Sequence, residues 1–252
     1  MKTTDKIAET TDKIAADFTK TVVMHSKELP WQASPMAGVD RRPLDRVGGE
    51  VARATTIVRY APGSKFSAHT HTGGEEFVVL EGTFQDEHGD YPQGSYVRNP
   101  PTSQHTPGSE QGCIIFVKLW QFQPHDRAYV RIPTEKIGAV EVNEASGVRV
   151  TPLFEDGVEQ VMIVTLQANT QWCLSAPQGA ELLVLSGNIT VTSCQLAQQD
   201  KRTDVLRTHS WLRAPIKSDL DLRSGTGEVS VWLKLGHLPM VDEQIKRVMQ
   251  QK

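Results

Sequence analysis

At 252 residues, with 38% hydrophobic and 23% charged positions, the chain can bury one large core or two modest ones. A formal charge of −3 gives no electrostatic support to a nucleic-acid or anionic-membrane partner. No apolar run approaches the ~20 residues of a membrane span, and the amino terminus lacks the apolar stretch of a secretory leader, so a cytoplasmic protein is expected. Cys113, Cys173 and Cys194 are too few and too scattered for a disulfide framework or a zinc ribbon, and each is expected to be a small buried apolar side chain.

Residues 3–8 and 10–15 nearly repeat, which sets Ile7 and Ile14 on one face of a weakly docked helical tail. Residues 31–44, broken by Pro35 and Pro43, read as an extended arm. From Val51 onward short β-forming runs follow one another: residues 55–60, the histidine segment from 69, residues 75–80, a run opening at Gly82, residues 96–98 and residues 113–120. Turn residues punctuate them about every ten positions, the pattern of an all-β sandwich or barrel. The polar stretch Asp86-Glu87-His88-Gly89-Asp90 reads as a solvated hairpin tip. Arg59, Tyr96 and Trp120 fall on barrel strands and are candidates to line a pocket, with packing the favoured role for each. Residues 240–251 place Val241, Ile245, Val248 and Met249 at helical spacing, a short amphipathic helix against a barrel or a second subunit.

Chemistry concentrates between Gly63 and His105. His69 and His71 are two apart and share one face of a strand. Glu75 follows beyond the turn Thr72-Gly73-Gly74, which has the flexibility of a hairpin, and His105 returns from a third segment past Pro100-Pro101. Three imidazoles and a carboxylate suit a first-row divalent metal. The remaining histidines, His25, His88, His125, His209 and His237, show no partner spacing.

The second half repeats the order of the first. Glu76 and Gly82 line up with Glu181 and Gly187, Arg98 and Pro100 with Arg213 and Pro215, and Lys118 with Lys234. The same register puts Leu174, Ala176 and Ala180 opposite His69, His71 and Glu75. With an insertion assigned to a polar loop over residues 198–204, Leu220 falls opposite His105. The second copy therefore holds no metal and is filled with side chains. Glu76 has a counterpart there and Glu75 does not, so Glu75 is the ligand and Glu76 serves architecture in both halves.

The spacing Gly63, His69, His71, Glu75, Gly82 resembles the first motif of the cupin superfamily. Gly94, Pro100, His105 resembles the second, which departs from it at Thr102, where the pattern has glycine, and lacks the trailing Asn. The wording around His69-Thr70-His71-Thr72-Gly73-Gly74-Glu75-Glu76 is similar to the cupin half of ChrR-type anti-sigma factors, over roughly residues 20–130. The resemblance implies an all-β fold of two cupin (jelly-roll) barrels with short terminal helices: residues 1–140 as arm plus metal-binding barrel, and 141–252 as a metal-free barrel with the C-terminal helix. It implies one divalent transition metal per chain on His69, His71, Glu75 and His105, iron(II) or zinc, with manganese and nickel as further candidates. Tetrahedral zinc would close the site, whereas an octahedral metal would leave two adjacent positions open. Two functions follow, ranked above a third, metal storage or a purely structural role. One is a dioxygenase-type oxidoreductase acting on a small oxygenated molecule with dioxygen. The other is a sensor module without the sigma-binding domain, since the stretch before Trp31 has one histidine and no cysteine. Self-association into a homo-oligomer is a further expectation.

Overall fold

The strand Glu75–Asp86 is buried on both faces through its first six residues, which is why Phe77-Val78-Val79-Leu80 shows no polar alternation. It lies between Cys113–Leu119 and Ser95–Asn99, both antiparallel to it. Arg53–Tyr60 and Val39–Val47 extend the sheet on one side and Val130–Pro133 on the other. Facing this sheet, His69–His71 pairs with Ser103–His105. The second half builds the same plan. Val148–Glu155, Gln160–Leu166, Val229–Leu235, Ala180–Ser186 and Ser210–Ala214 form one wall, and Gln171–Ala176, Ser218–Ser224, Asn188–Gln195 and Asp200–Arg207 the other. The all-β, two-barrel expectation holds in this computed structural model, which describes residues 13–143, 145–195 and 200–251.

Several elements differ from the sequence reading. Of the expected helical tail, residues up to 12 lie outside the described ones, and Lys13–Ile14 is strand, paired with Val47 and Arg46. The arm contains a full sheet member, Val39–Val47, which runs through Pro43. A register shift between Pro43 and Asp45 accommodates the missing N–H, the setting in which a strand tolerates proline. Runs expected as separate strands before and after Gly82 are one twelve-residue strand bent at Gly82, whose φ is 71°. Residues 200–204, expected as loop, are paired strand; a solvent-facing hairpin reads as polar sequence. Cys113 is buried as expected, but Cys173 is exposed. The C-terminal helix is Val241–Met249, and no helix of the described residues is long and apolar enough to cross a membrane.

The chain termini cross between barrels. Val22–His25 adds a strand to the second barrel by pairing with Ser210–Ala214. The C-terminal helix packs on the first: the Gln244 side chain accepts from Arg53 Nε at 2.9 Å and donates to the Gln121 carbonyl at 2.9 Å.

Strand alternation then divides the labour of the central strand. Glu75, Phe77 and Val79 point into the first barrel, while Glu76, Val78 and Leu80 point at the second. Val78 and Leu80 join Tyr96 and Phe116 against Leu183, Trp211 and Trp232 in the core between the barrels. Glu76 sits within that core beside a lysine of the other barrel: Lys234 Nζ donates to Glu76 Oε2 at 2.6 Å. In the mirror arrangement Lys118 donates to Glu181. Each lysine is the in-sheet neighbour of its own barrel's glutamate yet serves the opposite one. Arg98 reaches across to Glu159 at 2.7 Å and Arg213 to Asp45 at 2.9 Å.

Burial alone would raise the Glu76 carboxyl, but Lys234 and Arg98 beside it hold it down at about 2. A carboxylate so depressed contributes stability in full above its ordinary value of 4.5 and loses that contribution as pH falls from there toward about 2. Glu76→Gln, which leaves Lys234 only Glu159, at 3.0 Å and shared with Arg98, is expected to destabilise the fold at neutral pH by about 3–5 kcal/mol. In urea titrations repeated down the acid range, the native and variant midpoints should converge; a difference independent of pH would contradict the ionised pairing.

Candidate metal centre

Two short strands and the mouth of a third bring the donors together. His69 and His71 lie on one face of His69–His71, and the register places His105 opposite His69. The connection Thr72-Gly73-Gly74 does not close a hairpin, because His69–His71 and Glu75–Asp86 belong to opposite walls. It crosses the barrel mouth, and its glycines are required: a Cβ on Gly73 or Gly74 would run into the rings of Trp120 or Phe122. Thr102, where the cupin pattern has glycine, keeps the left-handed backbone at φ 75°, and its N–H donates to the His71 carbonyl at 2.9 Å. A β-branched residue is strained there, so the loop carrying His105 holds the glycine-like turn without the glycine.

The ligand-capable nitrogens of His69, His71 and His105 lie within 4.8 Å of one another. Glu75 Oε2 stands 3.4 Å from His71 Nε2 and 3.6 Å from His105 Nε2. Both of those nitrogens are buried and have no hydrogen-bond partner among the described residues. Orphaned buried polar atoms converging with a carboxylate fit a cation. The outer nitrogen of His105 is held by Asp86 Oδ2 at 3.2 Å, and Asp86 also accepts from Tyr91 at 3.2 Å. Asn99 Nδ2 donates to Glu75 Oε2 at 3.2 Å, and Arg131 in turn donates to Asn99 Oδ1 at 3.3 Å. Such outer partners fix the orientation of ligands.

Burial depresses the His71 imidazole, and the opposing charge of Glu75 does not reverse it, so the neutral lone pair is favoured. Burial also opposes protonation of His105, but its hydrogen bond to Asp86 and the charge of Glu75 outweigh this and raise it. Asp86 is held low by His105 and the His88 N–H against its burial.

A cavity of about 310 Å³ opens on the donors, with His69, His71, Glu75, Tyr60 and Trp120 on its wall. Trp120 thus lines a pocket, while Tyr96 packs between the barrels and Arg59 pairs with Asp40 at the surface. A cleft of about 270 Å³ at the second barrel, walled by Ser175, Ala176 and Pro177, carries no imidazole.

The internal repeat holds in the register itself: Leu174 pairs opposite Leu220 as His69 does opposite His105. Ala176, Ala180 and Leu220 are buried in one apolar cluster, with Leu174 packed on it. The residues that sequence reasoning missed are Asp86, Asn99 and Arg131. Asp86, read as part of a solvated tip, is a buried carboxylate. The internal repeat held a signal for two of them, since the same alignment puts Val191 opposite Asp86 and Ala214 opposite Asn99.

Residues 19–123 match the ChrR cupin-like domain family. No curated protein matches the chain. Among solved structures, a candidate dioxygenase of Nostoc punctiforme is 12% identical with a TM-score of 0.66, over 86% of this chain and 82% of that one. Protein YlbA of E. coli is 14% identical with a TM-score of 0.68, over 86% and 91%. A variant of Bacillus subtilis oxalate decarboxylase is 12% identical with a TM-score of 0.62, over 85% and 76%. At these identities the likeness is one of fold.

Asp86→Asn and Asn99→Ala should each lower affinity for a divalent ion by about tenfold to hundredfold, read by competition with a chromophoric chelator. Unchanged affinity in both variants would show that neither residue orients a ligand.

Proposed function

For a chain of cupin fold with a ChrR cupin-like domain over residues 19–123, we propose that the first barrel binds one divalent transition metal through His69, His71, Glu75 and His105 and acts there on a small oxygenated molecule, as a dioxygenase-type oxidoreductase. The observation that carries this reading is the pairing of orphaned imidazole nitrogens with an open cavity: donors aimed at one point, with room beside them for a ligand. When bound, the metal supplies Lewis acidity toward a coordinated oxygen and, as iron(II), reactivity toward dioxygen.

The chain's own residues do the rest. Asp86 holds His105, and Asn99 holds Glu75, so two of the four donors are oriented before any ion arrives. Tyr60, Phe66 and Trp120 wall the cavity with aromatic surface, which excludes water around a bound organic molecule. Iron(II) suits the open-site reading, with manganese and nickel as alternatives; zinc would close the site.

The ChrR cupin-like match favours a second reading, a metal-containing sensor that passes a chemical signal to a protein partner. Coordination number separates the two, since open positions at the ion support catalysis and a closed four-coordinate zinc supports sensing.

Protein purified without added metal should contain one equivalent per chain by elemental analysis. His71→Ala and Glu75→Gln should lose it, and Leu174→Ala in the second barrel should retain it; equal loss in all three would overturn the assignment. Iron-loaded protein should consume oxygen with a member of a panel of β-diketones and hydroxyacetophenones. Uptake no greater than that of His105→Ala across the panel would end the oxygenase reading.

A further inference from the structure

Resting on the metal reading above, we infer that Arg41 is an anion-binding residue of the same cavity, and that the small oxygenated ligand carries a carboxylate remote from the atoms that meet the metal.

Arg41 lies on Val39–Val47, directly opposite Val58. Side chains two apart on that strand share a face, and Val39, Arg41 and Val58 all line the cavity that holds His69, His71 and Glu75. The wall therefore carries a cation, together with the metal donors, in one small enclosure of about 310 Å³.

The other inward arginines are committed. Arg53 and Arg213 both hold Asp45, and Arg98 holds Glu76, Asp126 and Glu159. Arg46, on the same cavity, donates to the carbonyls of Gly48 and Gly49. Arg41 is half-buried, yet among the described residues its guanidinium has no hydrogen bond or ion pair. Its electrostatic neighbours are the Tyr60 phenol and Glu50, which is exposed at the cavity rim.

A partly desolvated guanidinium without a contacting counter-charge is poorly satisfied, and a carboxylate can satisfy it with two parallel N–H···O bonds. Three neutral imidazoles and one carboxylate leave a bound divalent cation with net positive charge, so the cavity is electropositive from two sides. A ligand with neutral oxygens at one end and a carboxylate at the other complements both.

Succinylacetone and butyrylacetone test this directly, because they share the diketone head and differ by a carboxylate in place of a methyl. Binding is measured by calorimetry under anaerobic conditions on the full metal-loaded chain, with metal content and thermal midpoint recorded for each variant. The native protein should bind succinylacetone about tenfold to hundredfold more tightly than butyrylacetone. Arg41→Met should abolish that preference with metal content and butyrylacetone affinity unchanged, and Arg41→Lys should keep part of it. With metal in place, equal binding of the two diketones, no binding of succinylacetone, or a preference that survives in Arg41→Met would each overturn the inference and leave the metal reading standing. Native protein that holds no metal and binds neither diketone would overturn both.

Discussion

Two lysines buried between the barrels each neutralise a glutamate of the opposite barrel, and the remainder of the structure is arranged around that crossing. Lys118 and Glu181, and Lys234 and Glu76, are all almost wholly shielded from solvent. Charges so placed cannot be left unpaired, which makes the relative placement of the barrels an electrostatic requirement as well as a packing one. Tyr96 and Trp211, which occupy equivalent positions, each donate to the glutamate of their own barrel. The interface is thus a two-fold repeat of one device, set in an apolar core that includes Phe116 and Trp232 in edge contact at 5.1 Å.

The same device fixes the candidate site. Glu75 and Glu76 are consecutive, so a slip of one residue in the central strand would turn Glu75 toward the interface and Glu76 toward the cavity. Lys234 and Arg98 hold Glu76 in the interface, and by alternation Glu75 is delivered to the imidazoles. An ion pair between the barrels therefore sets the aim of a carboxylate inside one of them. The C-terminal helix adds to this by closing over the first barrel through Gln244 and Arg247.

The two barrels keep this shared interface while their interiors diverge. Where the first has His69, His105, Glu75, Asn99 and Asp86, the second has Leu174, Leu220, Ala180, Ala214 and Val191, and its interior is a continuous apolar cluster. The second barrel thus has apolar residues both at the positions of the imidazoles and Glu75 and at those of the side chains that hold them, Asp86 and Asn99. The second barrel contributes Glu181, Lys234 and Arg213 to the interface and a sheet edge to which Val22–His25 is added.

Much of this was legible in the residues alone. The histidine and glutamate spacing picked out side chains that the fold brings together, and the internal repeat anticipated the apolar second interior and the opposite facing of Glu75 and Glu76, because period-two alternation is a local property that survives without knowledge of neighbours. Pro43 concealed a strand, and Asp86 was hidden in what reads as a polar turn, since local composition does not reveal which face of a hairpin is covered. Only the tertiary structure decided that Lys118 serves Glu181 rather than its in-sheet neighbour Glu76, that Asp86 holds His105, and that Arg41 shares a cavity with the imidazoles. The reason is physical: a charged side chain takes its partner from whatever group the fold brings within a few ångströms, and sequence order carries no record of that distance.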